Sequence, residues 1–326
     1  MDMELVTPNK KNPDHRMPLW YNSQETFSPD LGAGTRFRLI LVEGGTGILR
    51  LADRREVFAA PAVFCLNETD RPDLEQSLGL RAQALYFHPN VVNSVLTFEN
   101  LRGPAENFSP TEQQDRYWLK PFVQRDSGAG GHLRLGPISA QRISSLLKVA
   151  GRTLALQDDW NWSCRSRSYL LELLFLLERV SSVPQIAEED FLSEFSGDAD
   201  PIILYLHTHY QEKVTLAELA RVFNTNRTTL TERFRQSTGV SVITYLIQLR
   251  VHLAALMLRD TSLSVTEIGE RVGFNDNSHF TRTFRDYMES SPTEYRQRHC
   301  WHEPHYWLPR QQVGEPWRTM RHPAPL

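Results

Sequence analysis

The sequence predicts an α+β chain of two domains, an N-terminal β-barrel or sandwich with helices after it and a C-terminal all-α domain with two helix-turn-helix units. Three observations predict it. Residues 36–88 alternate short apolar runs with turn residues, residues 200–300 read as helix almost throughout, and residues 215–236 recur in altered form at 264–286. A length of 326 residues fits two domains at the common size of ~150 residues each.

Residues 1–30 are polar and contain prolines, which suits a loosely packed arm. FRLILVEGG, TGILRL, REVFAAPAVFCLN and LRAQALYFH read as strands, punctuated by Gly44, Gly45, Gly47, Pro61 and Asn67. Their spacing of ~10 residues suggests an antiparallel sandwich or barrel. From about Asn90 the texture becomes helical, with apolar residues at helical spacing in ISAQRISSLLKVAGRTL and RSRSYLLELLFLLERV. In the second segment Leu170, Leu173, Leu174 and Leu177 share one face, and Leu171, Phe175 and Leu176 widen it. A helix apolar most of the way round is buried on several sides. The 166–180 helix is therefore expected to dimerise through these leucines; the alternative is burial against its own barrel. The loop DSGAGGH (126–132) separates the two helical segments from the strands. The acid-rich, proline-containing SSVPQIAEEDFLSEFSGDADP is the linker, so the expected domains are 1–180 and 200–300, joined by 181–199. The tail, 301–326, carries Pro304, Pro309, Pro316, Pro323 and Pro325, and regular structure is not expected there.

Bulk properties narrow the class. The longest apolar run, about Tyr169 to Val180, is interrupted by Glu172 and Glu178 and is shorter than the ~18 residues of a membrane span. The N-terminus lacks a basic-then-apolar secretory pattern. Cys65, Cys164 and Cys300 are scattered and odd in number, which suits a reducing cytoplasm rather than a disulfide framework. Net charge is −3. Residues 200–300 hold 12 Lys+Arg against 11 Asp+Glu, and residues 1–199 hold 21 against 26. The C-terminal part is the less acidic, yet far from a strongly basic footprint, so pattern rather than charge carries the functional argument.

The pattern is the repeat. TLAELARVFNTNRTTLTERFRQ aligns with SVTEIGERVGFNDNSHFTRTFRD. Thr215-x-x-Glu218 and Ser264-x-x-Glu267 are capping boxes that start short helices. Ala220 and Gly269 are small enough to let a second helix cross closely. After the turn FNTN or GFNDN, that second helix points Leu230 and Phe234 inward in one unit and Phe280, Phe284 and Tyr287 in the other. Thr231/Thr281 and Arg235/Arg285 match at an offset of 50, the first helices at 49, so the second turn is one residue longer. Helix, short turn and helix with a small residue at the crossing is the helix-turn-helix plan. Its second helix can enter a major groove and read base edges. SVITYLIQLRVHLAALMLRD (241–260) joins the units as one helix, with Val242, Tyr245, Leu246, Leu249, Leu253, Leu256 and Met257 at helical spacing. Some ~18 residues span ~27 Å, close to the ~34 Å between successive major-groove faces. A third capping box, Ser291 to Glu294, with Pro292 at its first helical position, starts a closing helix. Gly239 and Gly273 read as backbone-turn glycines.

On these residues, and on GFNDNSHFTRTFRDYMESSPTEYR (273–296) above all, the C-terminal 100 residues resemble the DNA-binding domain of the AraC/XylS family of transcription regulators. The resemblance implies a seven-helix bipartite domain with both recognition helices in consecutive major grooves. It also implies that residues 1–180 are a cupin-like sensor with a helical dimerisation hairpin. Helix phase turns Arg227, Thr228, Thr231, Glu232 and Arg235 outward in the first unit, and Asn277, Ser278, Thr281, Arg282 and Arg285 in the second. The family's base-reading positions fall on Thr228, Thr231 and Glu232, and on Asn277, Ser278, Thr281 and Arg282. Arg282 suits bidentate guanine contact and Asn277 can pair with adenine. Glu232 departs from the family, where an Arg is frequent; it can accept from cytosine N4 or pair with Arg235 along the same face. A solvated helix face is the alternative for each. For His279, beside Phe280, the resemblance implies a core or phosphate-side role.

Other chemistry finds little support. A metal-dependent cupin enzyme needs closely spaced His and Glu ligands, whereas residues 1–199 hold only His15, His88 and His132. His299, Cys300, His302 and His305 match no standard zinc spacing, and Trp301, Trp307 and Trp317 suit packing of the tail. No catalytic residue, metal or cofactor is expected. Arg36, Arg38, Tyr86 and His88 are candidate effector contacts in a metal-free barrel, with an exposed strand face, or a structural role for His88, as the alternative; Glu43 is a further strand polar group. The expected function is a sequence-specific transcription regulator, an activator, gated by a small-molecule effector. It would be a cytoplasmic homodimer with double-stranded DNA and RNA polymerase as partners and no membrane. The sign of regulation depends on where its sites lie relative to polymerase. The alternatives are an effector-independent regulator controlled by protein partners, and an enzyme with an appended DNA-binding module, for which three scattered cysteines supply no alkyl-transfer site.

Overall fold

The computed structural model describes residues 5–51, 54–123, 131–181 and 199–300. The strands are β1 (Thr7–Pro8), β2 (Arg16–Met17), β3 (Leu19–Asn22), β4 (Phe37–Leu51), β5 (Arg54–Ala59), β6 (Ala62–Leu66), β7 (Pro72–Phe87) and β8 (His132–Arg134). The helices of the N-terminal part are α1 (Pro110–Tyr117), α2 (Lys120–Val123), α3 (Pro137–Leu156) and α4 (Trp162–Ser181). Those of the C-terminal part are α5 (Asp200–His209), α6 (Leu216–Val222), α7 (Arg227–Thr238), α8 (Val242–Asp260), α9 (Val265–Arg271), α10 (Asn277–Met288) and α11 (Pro292–His299). Residues 301–326 of the tail, with Trp301, His302, His305, Trp307 and Trp317, and residues 182–198 of the linker lie outside the described residues, whereas His299 ends α11 and Cys300 caps it.

The N-terminal part is sheet-rich, with open sheets where a barrel or sandwich was expected. The main sheet has six strands in the order β3-β7-β4-β6-β8, with β5 beside β4. Gly44 and Gly45 do not end a strand. β4 runs through both, pairs with β7 from Phe37↔Phe87 to Leu51↔Pro72, and shifts register around Gly44. Its first half pairs with β6 and its second half with β5. Alternation then sorts the side chains. Leu39, Leu41, Cys65, Leu85 and Phe87 face α3 and α4, whereas Ile40, Val42, Phe64, Ala84 and Tyr86 face Leu5, Phe27 and Phe58.

Leu170, Leu173, Leu174 and Leu177 are fully buried in the core between α4 and the chain's own sheet. This corrects the expectation that they form a dimer surface. The excess apolar face of α4 is covered within one chain by the sheet and by α3. Of the large apolar residues of α4, Phe175 is left exposed.

The C-terminal part is helical and α8 is its axis. By length and composition alone α8 could cross a membrane; here its two ends serve two cores. Val242, Tyr245, Leu246 and Leu249 pack with Ile203, Leu206, Leu219, Leu230 and Phe234. Val251, Ala254, Ala255 and Leu258 pack with Ile268, Phe280, Phe284 and Tyr295. The buried stripe therefore rotates along α8. Leu256 and Met257, expected inside, are only half-buried because Val251, Ala255 and Leu258 face the second unit instead. Ile48 of β4 and Val57 of β5 belong to the first of these two cores, so the sheet and the first helical unit share one apolar interior.

Candidate nucleic-acid interface

Each unit is assembled from the local signals that the sequence carries. Thr215 Oγ1 accepts from Glu218 N at 3.2 Å, which caps α6; Glu218 does not complete the expected box. Ser264 and Glu267 form the full box at α9, and Ser291 and Glu294 at α11. Hydrogen bonds from Ser264 and Ser291 hold the Glu267 and Glu294 carboxyls below the usual carboxylate range. The second helices carry their own caps: Asn226 Oδ1 accepts from Thr229 N at 2.8 Å, and Asp276 accepts from His279 N. Asp276 ends the second turn, so Asn277 is the first residue of α10 rather than the last of the turn. Gly239 and Gly273 have φ of +75° and +94°, the left-handed region that disfavours other residues.

Packing then sets which face of each second helix is free. Leu230 and Phe234 of α7 are buried, as are Phe280 and Phe284 of α10. At Gly269 a Cβ would lie 3.0 Å from the Phe280 ring, the close crossing that a small residue permits. Tyr287, expected inward, is 41% exposed because Thr283 and Phe284 fill the inner face at that end of α10. His279 is exposed, with its ring against Phe274 at 5.5 Å between centroids.

The faces of α7 and α10 turned away from the two cores are open. On α7, Arg227, Thr228, Glu232, Arg235 and Gln236 are exposed and Thr231 is half-buried beside them. On α10, Asn277, Ser278, Arg282 and Arg285 are exposed and Thr281 is half-buried beside them. Among the described residues, neither Glu232 nor Arg282 is held in a salt bridge. Glu232 therefore does not pair with Arg235, and both groups keep their full hydrogen-bonding capacity toward an incoming partner. A guanidinium offers five donors and a carboxylate only acceptors, so α10 and α7 present opposite chemistry at related positions.

The candidate effector residues are engaged elsewhere. Arg36 Nε donates to Leu5 O at 2.9 Å, and Arg38 Nη1 to Ser28 O at 3.0 Å. Tyr86 donates to Glu25, and burial and the Glu25 carboxylate raise its pKa. His88 Nδ1 accepts from Asn90 N at 3.2 Å and caps a short 3-10 turn, and burial lowers its pKa. Arg38 and Tyr86 are brought together as cross-strand neighbours, but Arg36 and His88 are not part of that cluster. Glu43 is held by Lys148 Nζ at 2.8 Å and by Ser144 of α3.

Comparison with known proteins bears on the same region. A family described as a helix-turn-helix domain matches residues 219–298. The HTH-type transcriptional activator RhaS of Enterobacter sp. (strain 638) is 27% identical over 260 residues, which cover 79% of this chain and 84% of that protein. RhaS of Escherichia coli O1:K1 / APEC gives the same identity and coverage. Among solved structures, the C-terminal domain of AraT, a response regulator from Geobacillus stearothermophilus, is 29% identical. It covers 35% of this chain and 99% of its own, with a TM-score of 0.32. The DNA-binding domain of AdpA, solved with a target DNA, is 30% identical, covers 32% of this chain and 93% of its own, and has a TM-score of 0.30. With its paired helix-turn-helix units and its match to the RhaS activators, the chain carries an AraC-type helix-turn-helix domain at residues 219–298, homologous to that of AraC-family regulators.

Proposed function

We propose that this protein is a sequence-specific transcription regulator that binds double-stranded DNA through α7 and α10, one in each of two successive major grooves. The observation that carries the reading is the pair of outward faces, Arg227 to Arg235 and Asn277 to Arg285, both accessible and both mounted on one rigid helix. A helix of 19 residues is ~28 Å long, which suits readers about one helical turn of DNA apart. On this reading residues 200–300 are the reader, residues 1–180 a cupin-like sensor domain that a small molecule gates, and residues 181–199 their linker. The relatives named activators support activation; contact with RNA polymerase is the route by which it would act. The protein works in the cytoplasm as a homodimer, through a surface other than the four buried leucines, and performs no catalytic step.

One observation favours a second reading, a regulator without a small-molecule effector. Arg36, Arg38, Tyr86 and His88 all hydrogen-bond groups of their own chain. Selection of bound duplexes from random DNA tests both, with and without metabolite extract. A recovered consensus with two half-sites about one turn apart is expected. Recovery of no consensus overturns the function, and a consensus and affinity indifferent to extract favour the second reading.

A further inference from the structure

We propose that Asp260 is a latch between the two parts of the molecule. Through it the sheet-rich part grips the end of the helix that joins the two helix-turn-helix units. Helix α3 starts at Pro137, and its N-cap is Gly136, which has no side chain to satisfy the first-turn amides. Asp260, the last residue of α8, supplies the cap from a distance of 121 residues. Its Oδ2 accepts from Ile138 N at 2.8 Å and from Ser139 N at 2.9 Å, and its Oδ1 accepts from Ser139 Oγ at 2.6 Å. Asp260 is 1% exposed.

Two features show that the residue is placed for α3 and not for its own helix. A carboxylate at the C-terminal end of a helix opposes the helix dipole, whereas one at an N-terminus is favoured. Asp260 ends α8 and begins nothing; the N-terminus it serves is that of α3. Gly136, in turn, leaves it room, because a Cβ there would lie 2.3 Å from Asp260 Oδ2. Arg179 of α4 and the adjacent Arg259 lie within electrostatic reach of the buried carboxylate.

The position of the latch gives it a consequence. The first half of α8 already shares a core with Ile48 and Val57 of the sheet. Asp260 fastens the other end, just before the segment 261–264 that leads into α9. The sheet-rich part therefore holds α8 at both ends, and the second helix-turn-helix unit hangs from the latched one. Any shift of the start of α3 either moves the end of α8 or breaks three hydrogen bonds. A cavity of about 70 Å³, lined by Leu135, Pro137, Leu253, Leu256 and Met257 among others, lies beside the latch between α8 and the start of α3.

The regulatory half of the proposal rests on the reading of α7 and α10 as DNA readers, and the test separates the two. Amide hydrogen exchange is followed in the full-length chain, wild type and Asp260→Ala, with Asp260→Asn and Ser139→Ala as milder variants should the first not fold. Without DNA, exchange at Ile138 and Ser139 is expected to speed by about tenfold in Asp260→Ala, the scale of a lost cap, with α10 and α11 unchanged. Unchanged exchange at Ile138 and Ser139 in the variants overturns the latch. A duplex selected by the protein from random DNA is then added. Where it slows exchange at α7 and α10, the latch predicts an altered rate at Ile138 and Ser139 in the wild type and none in Asp260→Ala, since coupling is reciprocal. Protection of α7 and α10 with no change at α3 overturns the latch as a transmitter and leaves the DNA reading standing. Failure of every duplex to protect α7 and α10 sinks the DNA reading, and the DNA-free comparison still decides whether Asp260 caps α3.

Discussion

Arg55 of β5 and Asp200, the first residue of α5, meet across the junction of the sheet-rich and helical parts, with Arg55 Nη2 2.6 Å from Asp200 Oδ2. Asp200 is 1% exposed, and the same guanidinium is held from the sheet side by Glu75 at 2.7 Å from Nε. Removing one partner of such a pair leaves the other charge buried. Arg55→Ala is therefore expected to cost about 3 kcal/mol, read as a lowered urea midpoint. A change within the scatter of surface substitutions would mean that water replaces the guanidinium at no cost.

Stability should fall with acid from near neutrality. Burial pushes the His132 imidazole down to about 3, with the Arg134 cation adding to it; the Glu56 carboxylate, 3.7 Å away, does not offset this. Burial likewise pushes His252 down to about 4, and His207 well below its ordinary value. In the unfolded chain these groups titrate near ~6.5. Between there and about pH 4 the unfolded state binds protons that the folded state refuses, so their contribution is complete above ~6.5 and is lost as pH falls. Each buried histidine steepens the loss by ~1.4 kcal/mol per pH unit. Urea unfolding of the wild type and His252→Gln at pH 7, 6 and 5 checks this. The variant should show the shallower dependence, and equal slopes would show that His252 protonates in the fold.

Leu173→Ala should destabilise by ~2–5 kcal/mol, the range for a leucine deleted from a packed core. Leu173→Glu should give misfolded chain rather than soluble monomer. Sedimentation of a folded, monomeric Leu173→Glu protein would return these leucines to a subunit interface.

Arg282→Ala is expected to weaken binding to the selected duplex by ~1–3 kcal/mol and to relax base preference at one position. Competition against single-base variants of the site reads both. An unaltered affinity with an unaltered preference removes α10 from the groove.

Glu232 makes the opposite prediction about chemistry. With no salt bridge to Arg235, its carboxylate can accept from a cytosine amino group. Glu232→Gln should lower preference for cytosine at one position of the first half-site while raising overall affinity slightly, because a negative charge near phosphate is removed. Raised affinity with no change in preference would leave Glu232 as a solvated residue that only repels the backbone.

The outward faces of α7 and α10 were legible in the sequence because helix phase, capping residues and the 50-residue repeat are local. Leu230 with Phe234, and Phe280 with Phe284, fix the inner face over a turn, and the outer face follows. Tyr287 escaped because one more helical step leaves the edge of the core, and only the packing of Thr283 and Phe284 shows where that edge lies. Gly44 and Gly45 looked like a strand end. The local pattern cannot distinguish a turn from a bend that a neighbouring strand, here β7, continues to hydrogen-bond.

What the sequence determined by itself is what short-range physics controls: the helices, their caps, the paired units and the residues they turn outward. What only the tertiary structure decided is everything that depends on a partner distant in the chain. Leu173 reads in the sequence as a surface for another subunit, and only the packing within the chain shows that it is core. Asp260 reads as a misplaced acid at a helix end until Gly136 and Ser139, more than 120 residues earlier, are brought against it. A charge is judged by the dipoles and donors around it, and those are set by the fold, not by its neighbours in sequence.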